Sequence, residues 1–218
     1  MIVIANPNAQ TGAEIPRGAI EEILKKNPGN LVLVDEAYID FGAESSVPLL
    51  LEYDNLLIIQ TLSKSRNLAG ARIGLAFAGE EIIRDINMIK YSFNPYNLNR
   101  LSILAGAAAL TDKDYFDTCV GEIKKVREEF VKDTRGLGFF IVPSAANFIL
   151  AKHDLISGER LYGELKKRGI LVRHLPYKRV KDYIRITIGK KEEMRLLVET
   201  IKEILATCSS KGKCDAKI

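Results

Sequence analysis

The chain has 218 residues, 47% of them hydrophobic and 28% charged, with 32 Lys and Arg against 28 Asp and Glu for a net charge of +4. This balance excludes a disordered or collagen-like chain, and no apolar run approaches the ~20 residues of a membrane-spanning helix. At ~100–200 residues per domain the length corresponds to one large domain or two small ones. Charges are interspersed, as in GEIKKVREEF, without a basic stripe carrying aromatics, so nucleic acid is not an expected partner. The opening MIVIANPNAQTG lacks a charged start and is not expected to be a secretory leader. Cys119, Cys208 and Cys214 form no CxxC pair and read as thiols of a reducing cytoplasm.

In chain order, short runs rich in branched residues at 3–5, 31–34, 56–60 and 73–77 are expected to be buried strands. Between the first two, RGAIEEILKK (17–26) follows Pro16 and places its apolar residues at helical spacing. Strand, helix, strand implies a parallel pair with a right-handed crossover. Helices are expected over 80–89, 97–110 and 112–135, the last capped by Thr111 with Asp114 in its first turn. Beyond the glycines at 136–138, strands at 139–142, 147–151, 170–173 and 183–188 alternate with helices at 158–168 and 192–206. The expected fold class is α/β: a mostly parallel sheet with flanking helices over 1–115, then a smaller α+β domain over 116–208 and a frayed tail over 209–218.

Four polar clusters fall at strand ends in the first part. Asn6-Pro7-Asn8-Ala9-Gln10-Thr11-Gly12 directly follows the first strand and, by composition, reads as a loop. Asp35 closes the second strand, where a carboxylate needs a partner; it is either a cap or a ligand-facing group. Lys64 follows the third strand, with Ser63 beside it and Arg72 eight residues on. A surface lysine is the plain alternative, but this combination suits an anionic, carbonyl-bearing cofactor. Ser92-Phe93-Asn94-Pro95-Tyr96-Asn97 is a turn entering an apolar helix. In the second part Arg185 lies within IRITI, where a guanidinium has either an anionic ligand or a structural salt bridge.

Taken together, NPNAQTG, VDEAYIDF, TLSKSRNLAGARIG, FNPYNLN, SAANFIL, GILVRHLP and YIRITIGKKEE resemble the fold type I aminotransferases that use pyridoxal phosphate, and within them the histidinol-phosphate aminotransferases. The motifs occur in the family's order across nearly the whole chain. The resemblance implies part of the family's large cofactor domain followed by its small domain. It implies amino transfer between histidinol phosphate and 2-oxoglutarate in histidine biosynthesis, by a cytoplasmic homodimer with small-molecule partners and no metal. Lys64 would bond the cofactor aldehyde and, once released, carry the substrate proton. Asp35 would pair with the pyridine nitrogen, Tyr38 and Asn8 with the ring oxygen, and Ser63 and Arg72 with the phosphate. Arg185 would clamp the substrate carboxylate, with Arg173 approaching the same substrate; Asn147 has no assigned contact.

Three departures accompany the resemblance. Gln10 stands where family members usually carry proline, so a looser turn is expected around Asn8. Ser65-Arg66-Asn67 replaces smaller, more apolar residues after the lysine, and Arg66 is expected to alter the local potential or meet an anion. The matched motifs start in the middle of the family, leaving the first strand with an open edge and uncovered apolar surface. A non-catalytic fragment, a threonine-phosphate decarboxylase and an aromatic aminotransferase remain as alternatives.

Overall fold

The computed structural model describes residues 1–209. The tail expected over 209–218, with Cys214, lies outside them except for Ser209, which ends the last helix. The described part divides into two compact units. The first comprises Met1–Ala9 and Ala13–Val120; the second starts at Gly121 and includes the short segment Gln10–Gly12. Among the described residues no helix is long and apolar enough to cross a membrane.

In the first unit, β1 (Ile2–Ala5), β2 (Val32–Asp35) and β3 (Leu56–Thr61) form three parallel neighbours in that order. Helix α1 (Arg17–Lys26) makes the β1–β2 connection. Its apolar spacing turns Ile20 and Leu24 inward, where they are buried with Val32, Val34, Leu49, Leu56 and Ile58. Lys25 and Lys26 occupy the last turn, where cations suit the helix dipole. Between β2 and β3 the chain passes through two 3-10 turns, Ile39–Phe41 and Val47–Leu51. β4 (Gly74–Ala78) adds antiparallel to β3.

The outer strands depart from the expectation of burial. Val3 in β1 is 62% exposed, and Gly74 and Ala76 in β4 are exposed too. Both strands flank the sheet, so each has a ladder partner on one side only. α2 (Glu80–Phe93) runs four residues past its expected end. α3 (Arg100–Thr111) starts later than expected because the Asn99 side chain accepts the Ser102 N–H at 2.8 Å and caps it. Thr111 does not cap α4 (Lys113–Gly136). It ends α3, and its hydroxyl bonds back to the carbonyls of Ala107 and Ala108. Asp112 takes the capping role, accepting the Tyr115 N–H at 3.2 Å. α4 starts in the first unit and continues past Val120 into the second.

In the second unit, β5 (Phe140–Val142), β6 (Phe148–Lys152), β7 (Arg173–His174) and β8 (Ile184–Thr187) form an antiparallel sheet of order β5-β6-β8-β7. α5 (Gly158–Lys167) is capped by Ser157, and α6 (Lys191–Ser209) closes the unit. One core joins Val126 and Phe130 of α4 to Ile149, Leu161, Leu165, Ile184 and Ile201. Each such aliphatic side chain contributes about 1.5–3 kcal/mol on burial. The strand expected over 170–173 is shorter than its pattern: only Arg173 and His174 pair, with β8. Ile170 and Val172 still pack on the core while Leu171 is 77% exposed, so the alternation is present without a ladder. Gly12 belongs to this unit; its carbonyl accepts the Ala145 N–H at 2.8 Å. Its φ of +77° and the overlap a Cβ would have with Ser144 both require glycine.

Candidate active site

β1, β2 and β3 run parallel and in register, Ala5 opposite Asp35 and Asp35 opposite Ile59, so their carboxyl ends share one edge. Asp35 ends β2, and Asn8 and Lys64 follow β1 and β3, at the edge where α/β sheets place ligands. Arg72 joins the same edge from the other direction. It lies two residues before Gly74, which pairs with Thr61 at the end of β3.

Each group is held locally. Asn6 is fully buried, and its side-chain amide bonds Ile15 twice, donating to the carbonyl at 3.0 Å and accepting the N–H at 2.7 Å. The Asn8 N–H donates to the Ala13 carbonyl at 2.8 Å. Asn6 and Asn8 thus tie the loop to Ile15 and Ala13. Asp35 accepts the Ala37 N–H at 3.0 Å, a local turn that orients its carboxylate. Lys64 is exposed, and its Nζ lies 5.3 Å from the centre of the Tyr38 ring. Thr61 Oγ1 donates to Ser63 Oγ at 2.8 Å and accepts the Ser63 N–H at 3.1 Å. Arg72 adopts a left-handed φ of 58° and donates to the Ala69 carbonyl at 2.9 Å. Such a conformation is rare for a side-chain-bearing residue and is concentrated at functional sites.

Glu36, Ser65 and Asp40 make contacts at this edge and were not assigned to it in the sequence. Glu36 is 1% exposed and accepts Ser45 Oγ at 2.8 Å, the Ser46 N–H at 2.6 Å and Gln60 Nε2 at 2.9 Å. It ties β3 to the segment after the first 3-10 turn, directly beside Asp35. A second carboxylate at the end of an apolar strand was the available signal. Ser65 donates to Asp40, in the turn after Tyr38. Arg66, expected to alter the local potential or meet an anion, has two protein contacts. It donates to the Ala109 carbonyl at 2.6 Å and stacks on Phe116, with 3.5 Å from the guanidinium carbon to the ring centre. These partners lie 25 to 50 residues away, beyond the reach of pattern reading.

Arg173 and Arg185 lie in the second unit, directly opposite each other on β7 and β8. Arg185 is half-buried, with its guanidinium carbon 4.7 Å from the Phe148 ring centre; Arg173 is exposed. Asn147 immediately precedes β6, and its carbonyl accepts the Ile188 N–H at 2.9 Å. Among the described residues no group of three or more His, Cys, Asp or Glu is placed to hold a metal.

A lysine, a phenol and a carboxylate thus lie at one sheet edge of an α/β unit, and two arginines lie opposite each other in the second unit. The chain belongs to the class I and II aminotransferases, whose family model matches residues 1–201. It is 47% identical over 203 residues to a histidinol-phosphate aminotransferase of Clostridium botulinum (strain Okra / Type B1), covering 93% of this chain and 57% of that protein. The chain thus spans little more than half the length of this relative. Among solved structures, histidinol-phosphate aminotransferase from Clostridium acetobutylicum matches with a TM-score of 0.86 and 27% identity, over 93% of this chain and 63% of that one. The Sinorhizobium meliloti histidinol-phosphate aminotransferase in complex with pyridoxal-5'-phosphate matches with a TM-score of 0.82 and 26% identity, over 93% and 57% of the two chains.

Proposed function

We propose that this chain carries the lysine and substrate-arginine portions of a pyridoxal-phosphate aminotransferase acting on histidinol phosphate and 2-oxoglutarate. The products are imidazole acetol phosphate and glutamate, a step of histidine biosynthesis. The observation that carries this reading is the exposed Lys64 amine 5.3 Å from the Tyr38 ring, beyond the same sheet edge as Asp35. Residues 1–115 are read as part of the cofactor domain and 116–208 as the small domain.

The donor set suits the cofactor chemically. Lys64 offers a primary amine to the aldehyde, and Asp35 a carboxylate to the pyridine nitrogen. Tyr38 and Asn8 suit the ring oxygen; Ser63 and Arg72 suit the phosphate. When bound, pyridoxal phosphate supplies an electron sink for the pair left at the amine-bearing carbon. Asp35 would keep the ring nitrogen protonated, and Lys64, as a free amine, would hold the proton taken from the substrate's amine-bearing carbon and deliver it to the carbon derived from the cofactor aldehyde. Arg173 and Arg185 occupy opposite positions on β7 and β8, and two guanidinium groups suit an anionic substrate group. Histidinol phosphate bears no carboxylate, so the carboxylate clamp of Arg185 applies to the 2-oxoglutarate half of the cycle.

A cytoplasmic homodimer fits the exposed β1 edge and the apolar residues of α2 and α3. Threonine-phosphate decarboxylase or aromatic aminotransferase activity uses the same Asp, Tyr, Lys and Arg set. One observation favours a non-catalytic reading instead: α2 and α3 leave large apolar side chains exposed. Adding pyridoxal phosphate to the purified chain is expected to give absorbance at the edge of the visible range that is lost in Lys64→Ala. A protein that stays colourless overturns the cofactor assignment. Half-reactions with histidinol phosphate, aromatic amino acids and threonine phosphate then distinguish the activities. A coloured protein unchanged by every donor supports the non-catalytic reading. Sedimentation as a monomer at micromolar concentration would count against the dimer.

A further inference from the structure

The turn that presents Lys64 is fastened from several directions. The Leu62 N–H donates to the Ile73 carbonyl at 3.1 Å, the Leu68 N–H to the Leu62 carbonyl at 3.0 Å, and the Asn67 N–H to the Lys64 carbonyl at 3.2 Å. Asn67 closes it with a left-handed φ of 57°. The two residues after the lysine then send their side chains to different elements. Ser65, 5% exposed, reaches Asp40 beside the Tyr38 segment. Arg66 reaches the α3–α4 junction.

That second tie has specific chemistry. Ala109 lies in the last turn of α3, where carbonyls lack intrahelical partners and carry the negative end of the dipole. A guanidinium donating there satisfies both, while its flat face covers Phe116 in the first turn of α4. A lysine would supply the charge without the planar stack. α3 meets the same turn a second time at Gly106, where a Cβ would lie 2.6 Å from Ile73 Cδ1 and 3.5 Å from Leu62 Cδ1. The helix is thus seated on the two residues that open and follow the lysine turn, and Arg66 clamps its end.

We propose that Arg66 is a positioning residue for Lys64, setting the lysine turn against the α3–α4 junction through Ala109 and Phe116. The inference rests on the reading of Lys64 as the cofactor lysine. It is tested with Arg66→Lys, Phe116→Leu and the double variant of the whole chain. Two readouts are used: amide hydrogen exchange over residues 62–68 without cofactor, and titration with pyridoxal phosphate followed by absorbance across pH. Each single variant is expected to speed exchange in the turn by about tenfold, and the double variant by no more than Arg66→Lys alone, since both remove one contact. Each is also expected to weaken pyridoxal phosphate binding by about tenfold and to shift the pH midpoint of the bound chromophore, with a parental melting temperature.

Unchanged exchange, or single effects that add fully in the double variant, would overturn the tie. Faster exchange with parental binding and a parental pH midpoint would reduce Arg66 to a purely structural role and overturn the proposal. If the parent and Lys64→Ala give the same spectrum, the cofactor reading fails first, and the positioning role falls with it even where the exchange result holds.

Discussion

Helices α2 and α3 and helices α5 and α6 all carry ample apolar side chains, and they dispose of them in opposite ways. α5 and α6 turn theirs into one core: Leu161 and Leu165 from the first, Met194, Leu197, Val198, Ile201, Ile204 and Cys208 from the second. α2 buries no residue, and α3 buries only Ser102 and Gly106, leaving Leu101, Ile103, Leu104 and Leu110 on the surface. α3 is apolar on every side, the pattern of a helix inside a larger fold. α5 is amphipathic, with its apolar face on the core. The contrast shows that helix formation and helix burial are separate outcomes. The first follows from local propensity and caps such as Asn99. The second needs partner surface within reach.

The sharpest way to break this comparison is paired truncation. Ile149→Ala, in a fully buried position, is expected to cost about 2–5 kcal/mol by denaturant unfolding. Leu104→Ala, 59% exposed, is expected to stay within about 0.5 kcal/mol. Comparable losses would show that the α3 face is covered in solution. Glycine replacements in α5 sharpen the same point within one helix. A Cβ at Gly158 would lie 2.7 Å from the Tyr183 carbonyl oxygen, so Gly158→Ala is expected to lose about 1–3 kcal/mol. Gly163 has nothing within 4 Å, and Gly163→Ala is expected to gain up to about 1 kcal/mol through helix propensity.

In the first unit, Glu36→Ala removes the acceptor for Ser45, Ser46 and Gln60 and leaves the buried Ser46 N–H unpaired. The expected loss is about 1–3 kcal/mol, with a lower melting temperature as the measurement. The smallest effect belongs to the surface of α5. Hydrogen bonds from Lys167 and then Arg168 hold the Glu164 carboxyl down at about 2, against an ordinary 4.5. A depressed carboxyl stabilises the folded state above its ordinary value and loses that contribution as pH falls from about 4.5 towards 2. Because the group is solvent-screened, Glu164→Gln is expected to cost ~0.5 kcal/mol or less at pH 7, nothing at pH 2, and less in high salt. A larger cost at neutral pH would show that this surface network acts like a core.

The placement of the candidate site was legible because strand ends carry their own marks. Asp35 and Lys64 each follow a short apolar run, and β2 and β3 pair in parallel, so both groups arrive at one edge. The surroundings were not legible. Glu36 reads as one more acidic residue until Gln60 and the 45–46 segment close on it, and Arg66 reads only as a charge near the lysine until Ala109 and Phe116 are brought to it. The swap of capping roles between Thr111 and Asp112 has the same origin. Both residues suit a cap, and the decision rests on which carbonyls the preceding helix leaves within reach.

By itself, then, the sequence determined the order of elements, the parallel delivery of Asn8, Asp35 and Lys64, and the amphipathic helices of the second unit. Those follow from periodicity and turn chemistry over a few residues. The tertiary structure alone decided that β1 and β4 are outer strands, that β7 keeps two paired residues, that Arg173 faces Arg185, and that Arg66 anchors the lysine turn. Each depends on which segments meet, and a pairing or hydrogen bond between residues 10 to 50 positions apart leaves no periodic trace in the chain that makes it.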